Sequence, residues 1–371
     1  MDPAADADHM RAALDLAALG PAPDANPRVG AVVLDASGAV AGRGVHRGAG
    51  TAHAEVLALA EAGPRARGGT AYVTLEPCAH AGRTGPCATA LIEAGITRVV
   101  YGQADPNPVA AGGERLLRDA EVEVKAGLLA DVATKLNLDW TFAVTHGRPR
   151  VTWKYAATLD GYSAAADGSS HWITSRQSRA DVHRHRAQCG AVLVGTGTVL
   201  ADDPQLTVRD DSGASHGRQP LRVVAGLRDL PADARVRDAA AATLHLRERD
   251  PHRILAALAD RQIHHVWLEG GPTLAAAFLR AGLVDEILGY LAPALLGSGR
   301  PAIADLGVPT IDGIRRLRLV QVRRIGPDLR LRCVPATEVS DAEVRGAATE
   351  IPASGPERQA GPTGPPRREA S

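Results

Sequence analysis

Aromatic residues make up only 3% of this chain, so its cores must be built from Ala, Val and Leu. Its cysteines (78, 87, 189 and 333) are too few for a disulfide framework over 371 residues, which points to a reducing compartment. Formal net charge is zero, and acidic residues outnumber basic ones in the first 148 positions. A long polyanion would need a basic face, so a nucleic-acid partner is excluded, though a single phosphate on a small substrate is not. No apolar run approaches the roughly 18 residues that cross a bilayer, and the acidic start MDPAADADHM lacks a signal-like apolar core. A cytoplasmic protein without a membrane partner is expected.

What is present suits two or three globular domains. Residues 9–19 read as an amphipathic helix ended by the GPAPDANP turn, followed by the strands VGAVVLD and AVAGRGVH. Thr51–Glu61 reads as a helix, TAYVTLEPC as a strand, CATALIEAGI as a helix and TRVVYG as a strand. LADVATKLNLDWTFAVTHG reads as one closing helix. Past the His146–Arg150 joint, VTWKYAAT, AVLVG, LRVVAG, HHVWLEGG and VDEILGYLAP are apolar runs separated by helical or loop stretches. The alternation predicts an α/β fold of two domains, over 1–147 and 148–336. Residues 337–371 turn to Ala, Gly, Pro, Arg and Glu, and are expected to be a disordered tail without chemistry.

The chemistry is concentrated in His53-Ala54-Glu55 and in Pro77-Cys78, with Cys87 beyond. One imidazole and two thiolates suit a Zn²⁺ that keeps its fourth position open for water, whereas a structural zinc would want a fourth Cys or His. Cysteines at helix starts favour the thiolate. Glu55 lies half a turn beyond His53, where it can shuttle protons as in zinc deaminases. His53, Cys78 and Cys87 are therefore the expected metal ligands and Glu55 the catalytic acid–base.

Taken together, these words resemble the cytidine-deaminase superfamily. The long gap between the cysteines, with Asn26-Pro27-Arg28-Val29-Gly30-Ala31-Val32 upstream and Asp105-Pro106-Asn107-Pro108 downstream, is similar to the deaminase half of the RibD family of bifunctional riboflavin-biosynthesis enzymes. A three-layer α/β/α deaminase domain is implied, acting on a diaminopyrimidinone that carries a ribosylamino 5-phosphate. The resemblance further implies that Asn26 holds the pyrimidine and that His46, Arg83 and Asn107 face the ribose phosphate.

No G-x-G-x-x-G follows the first strand of the second half. Gly195-Thr196-Gly197-Thr198 and Glu269-Gly270-Gly271-Pro272-Thr273 do follow strands, an arrangement that lets backbone N–H groups approach a phosphate. With Lys154 in VTWKYAATLDG, Ser170–Thr174 and GTGTVLADDPQLTVR, residues 151–334 resemble the family's reductase half, whose fold is similar to dihydrofolate reductase. The resemblance implies NADPH as hydride donor, held by Ala156, Trp172, Thr198, Asp202, Gly271, Pro272 and Thr273. Ser170, Arg186, Leu206, Arg209 and Glu269 would face the substrate, with the two arginines as a phosphate clamp, and Lys154 would polarise the sugar. Tyr162 stands where relatives carry Lys or Arg after L-D-G. His183, His185, His264 and His265 lack metal-like companions, and Cys189 and Cys333 are expected to be buried thiols.

The expectation is thus a homo-oligomeric, bifunctional enzyme acting on a small phosphoribosyl pyrimidine. Two rivals stand against it: a deaminase of another nucleobase with a silent second domain, and a non-catalytic zinc module.

Overall fold

The computed structural model describes residues 3–79, 85–170, 173–210 and 212–336. In chain order the first half comprises α1 (Pro3–Ala18), β1 (Gly30–Leu34), β2 (Val40–Val45), α2 (Ala54–Ala62), β3 (Thr70–Leu75), α3 (Cys87–Glu93), β4 (Arg98–Gln103), α4 (Gly113–Asp119), β5 (Glu123–Lys125), α5 (Ala130–Leu136) and α6 (Leu138–His146). Its strands form one sheet in the order β2-β1-β3-β4-β5, antiparallel around β1 and parallel from β3 to β5. Parallel strands need both faces covered. α2, α3 and α4 pack on one face through Ala58, Leu91 and Leu117, and α1 and α5 on the other through Met10 and Ala133. This is the expected three-layer arrangement.

Alternate glycines on β2 decide where α2 sits. A Cβ at Gly44 would lie 1.9 Å from the Ala54 carbonyl oxygen, and one at Gly42 would lie 2.1 Å from that of Ala58. Only hydrogen at those positions lets the helix backbone rest directly on the strand.

The second half comprises β6 (Arg150–Thr158), β7 (Tyr162–Ala164), α7 (Arg176–Arg186), β8 (Ala191–Gly195), α8 (Thr196–Asp202), β9 (Leu221–Ala225), β10 (Thr243–Leu246), α9 (Pro251–Ala259), β11 (His265–Leu268), α10 (Pro272–Arg280), β12 (Glu286–Ala292), β13 (Arg300–Pro301), β14 (Leu317–Ile325) and β15 (Asp328–Pro335). The main sheet runs β10-β9-β8-β11-β6-β12-β15-β14, parallel through β12 and then antiparallel. α9 and α10 cover one face through Leu255 and Phe278, and α7 and α8 the other through Val182 and Val199.

Two features depart from the sequence-based expectation. The closing helix is broken at Asn137, whose side chain leaves the helical path to clamp another loop. Its Oδ1 accepts the Arg28 N–H at 2.8 Å and its Nδ2 donates to the Arg28 carbonyl at 2.9 Å. The β14–β15 hairpin was not foreseen because arginines interrupt its apolar pattern. Cys189 is buried as expected, but Cys333 on that hairpin is only half-buried. Met1–Pro335 form one compact unit. The expected tail, 337–371, lies outside the described residues.

Candidate active sites

His53 is the N-cap of α2, with extended backbone, and Glu55 occupies the first turn. Cys87 opens α3, and Cys78 follows β3 after Glu76 and Pro77. The His53 Nδ1 lies 3.1 Å from the Cys87 Sγ and 3.7 Å from the Cys78 Sγ. All three donor atoms fall within 4.8 Å of one another, and no fourth His, Cys, Asp or Glu joins the group among the described residues. The Cys87 backbone N–H points at the Cys78 Sγ at 3.4 Å, the kind of contact that steadies a metal-ligating thiolate.

Left to themselves, the two thiols share one negative charge. A hydrogen bond from the Cys87 thiol brings Cys78 down to about 4, and the Cys78 sulfur in turn drives Cys87 up. A divalent ion would take the place of the shared proton, so the donor set fits Zn²⁺ with one position open. Glu55 is 4% exposed, and burial pushes its carboxyl up to about 7. A carboxyl that gives and takes protons near neutrality suits acid–base work.

Around this cluster, Asn26 Nδ2 meets His46 Nε2 at 3.1 Å, and His46 Nδ1 meets the Ala52 carbonyl at 3.0 Å. His46 is buried and packs edge-on against the His53 ring. Both of its ring nitrogens are thus engaged. Asn107 is half-buried and turns inward on its own loop, its Oδ1 accepting the Val109 N–H at 3.1 Å. Arg83 lies outside the described residues.

Sequence reasoning missed Glu76. This buried carboxylate accepts N–H groups from Asp105, Gly112 and Glu114 at 3.1–3.2 Å, tying the Asn107 loop and the start of α4 beside Cys78. Its only signal was an acid in the otherwise apolar word L-E-P-C.

In the second half, Lys154 on β6 and Glu269 just past β11 lie on adjacent parallel strands. Burial lowers the Lys154 pKa while the Glu269 charge opposes that fall. Burial would raise Glu269, but Arg186 and then Lys154 overcome it and hold the carboxyl down at about 2. Arg186 reaches Glu269 through Nε at 2.5 Å and Nη2 at 2.7 Å, and the Thr207 carbonyl through Nη1 at 3.0 Å. Arg209 is different: its Nε is buried with no hydrogen-bond partner among the described residues. Burial and repulsion from Arg186 and Arg235 lower its pKa, a situation an anionic ligand would relieve.

Leu206 has φ +57° and a buried side chain, leaving only its backbone to meet a ligand. Ser170 and Ala156 are half-buried. Thr198 Oγ1 accepts the Gly271 N–H at 3.3 Å, which joins the start of α8 to the start of α10, where Pro272 and Thr273 follow. Two neighbouring helix starts beyond parallel strands fit the diphosphate of a dinucleotide. Asp202 sits exposed at the far end of α8. Trp172 lies outside the described residues. Trp267, which the sequence did not single out, donates from Nε1 to Glu269 Oε1 at 2.5 Å.

Comparison with known proteins agrees with this geometry. Residues 3–103 match the cytidine and deoxycytidylate deaminase zinc-binding region, and residues 149–331 match the RibD C-terminal domain. The riboflavin biosynthesis protein RibD of Mycobacterium tuberculosis H37Rv is 51% identical over 309 residues, spanning 83% of this chain and 91% of the relative. That of Escherichia coli K12 is 41% identical, spanning 84% and 94%. Among solved structures, Acinetobacter baumannii RibD aligns with a TM-score of 0.80 at 39% identity, covering 90% of this chain and 99% of that one. The Thermotoga maritima diaminohydroxyphosphoribosylaminopyrimidine deaminase/5-amino-6-(5-phosphoribosylamino)uracil reductase aligns with a TM-score of 0.78 at 34% identity, covering 90% and 99%.

Proposed function

This chain belongs to the RibD family of riboflavin-biosynthesis enzymes, and from that premise we propose how its residues share out the family's two reactions. The protein is a bifunctional deaminase and reductase that uses Zn²⁺ and NADPH. A deaminase of another base with a silent second half is not favoured by matches that span both halves.

We assign deamination to residues 1–147. His53, Cys78 and Cys87 would hold Zn²⁺, which as a Lewis acid makes water a competent nucleophile at neutral pH. Glu55 takes one proton from the attacking water and gives it to the ring nitrogen, then moves the second, from the added hydroxyl, to the departing amine. Its burial supports that part, because the same carboxyl must both accept and release a proton. Asn26, steadied by His46, orients the pyrimidine; Asn107 and Arg83 are assigned to the ribose phosphate.

Residues 148–336 carry the reduction, in which NADPH supplies a hydride to the opened ribose. Lys154 donates to the sugar oxygen, and Glu269 sets its charge while being held by Arg186 and Trp267. Arg209 takes the substrate phosphate, with Ser170 and the Leu206 backbone beside it. Thr198, Ala156, Trp172, Asp202 and Gly271–Thr273 are assigned to the cofactor.

A homo-oligomer is also proposed. β14 is an edge strand with Leu317, Leu319, Val320 and Val322 exposed, the kind of edge that a second copy would cover. A cytoplasmic location is proposed with it; among the described residues no helix is long and apolar enough to cross a membrane.

The convergence of one imidazole nitrogen and two sulfurs beside a buried glutamate carries the deaminase assignment. Zinc content, ammonia release and NADPH consumption, measured on the phosphoribosyl pyrimidine with cytidine and guanine as controls, test the whole. Ammonia from cytidine or guanine alone would overturn the substrate assignment.

A further inference from the structure

Two side chains of the second half reach into the first. Arg218 donates from Nη1 to the Pro23 carbonyl, and the His264 ring faces the Asp24 backbone. Both residues belong to the turn that leads into Asn26. Within that turn the Asp24 Oδ1 accepts the Asn26 N–H and the Ala49 N–H, each at 2.9 Å. Asn26 then meets His46, and His46 packs on His53. The far side of the turn is held as well. Asn137 clamps Arg28, and two positions on, Asp139 is paired with Arg150 at 2.6 Å and with His265 at 3.3 Å. The turn is therefore held from the second half at its Pro23 end and by Asn137 of the first half at Arg28.

We infer that the reductase half braces the deaminase's pyrimidine-binding turn, with Arg218 and His264 acting as positioning residues for deamination. The inference deepens the reading of Asn26 given above and rests on it. The Pro-rich turn between α1 and β1 carries a side chain that must meet a planar ring and so needs rigidity. Backbone groups held from outside supply that rigidity, and preorganisation of this kind shows in binding more than in the chemical step. The fusion of the two enzymes would then serve the geometry of the first site as well as the supply of the second.

The test uses the full-length protein with Arg218→Ala/His264→Ala, Arg218→Lys and Asn26→Ala. Losing the Arg218 hydrogen bond and the His264 contact to a substrate-positioning turn should raise the deaminase KM for the phosphoribosyl pyrimidine roughly three- to tenfold. Deaminase kcat, zinc content, Tm and the reductase constants should stay at their wild-type values, and Arg218→Lys, which can still donate to Pro23, should stay close to wild type. A raised KM in Asn26→Ala with none in the double variant overturns the bracing. So does a shared loss of both activities with a lower Tm. An Asn26→Ala variant that binds normally sinks the Asn26 assignment and the bracing built on it.

Discussion

Arg186 and Glu269 meet in a two-pronged ion pair, with Nε and Nη2 of one guanidinium on the two oxygens of one carboxylate, and both groups are about nine-tenths buried. Breaking a buried pair from one side leaves an uncompensated charge, which typically costs about 3–5 kcal/mol. Arg186→Ala should therefore lower the unfolding midpoint of the reductase half and abolish reduction, with less effect on zinc content.

The same pair predicts a pH dependence. The folded Glu269 pKa of about 2 is below the ordinary 4.5, so its contribution is fully present above 4.5 and is lost as pH falls toward 2. In Arg186→Ala, burial without the guanidinium would instead raise that pKa, and protonation would relieve the buried charge. The stability gap between wild type and variant should thus narrow as pH drops from neutrality to 4.5 and below. Urea midpoints across that range check this; a gap that stays constant would refute it.

Glu55→Gln removes the proton carrier but leaves both sulfurs and the imidazole in place. Zinc should remain bound while ammonia release falls by at least about 100-fold and NADPH-dependent reduction is unchanged. Removing the metal with a chelator should give the same split. Wild-type turnover in Glu55→Gln would end the acid–base assignment.

Arg209 has a buried Nε without a hydrogen-bond partner among the described residues, whereas Arg186 is paired with Glu269. Arg209→Ala should raise the reductase KM for the phosphorylated substrate by roughly 10- to 100-fold, the loss of a charge-assisted phosphate contact. The dephosphorylated analogue should show little change, and parallel losses on both would point away from the phosphate.

Gly44→Ala would place a methyl group 1.9 Å from the Ala54 carbonyl oxygen. α2 must shift to make room, at a cost of about 1–3 kcal/mol. Because His53 and Glu55 ride on that helix, zinc affinity and deamination should fall further than reduction does. Metal titration with both activity assays will show it.

Zinc-ligand chemistry was legible in the sequence because each donor is a rare residue type and its neighbours are short, local words. His53, Glu55, Cys78 and Cys87 could be named without a fold, since a helix start and a strand end suffice to present them. Alternating apolar runs likewise showed two α/β layers. The sequence could not show which polar groups were already spoken for. Arg186 pairs with Glu269 from another strand, and His46 bonds Asn26 and Ala52 through its two nitrogens, contacts that no local word announces. Glu76 went unnoticed for the same reason, since the N–H groups it accepts lie 29, 36 and 38 residues further on. Residue type sets what a side chain is able to do; packing at long range decides whether its hydrogen-bonding capacity is left over for a ligand, and only the tertiary structure could make that choice.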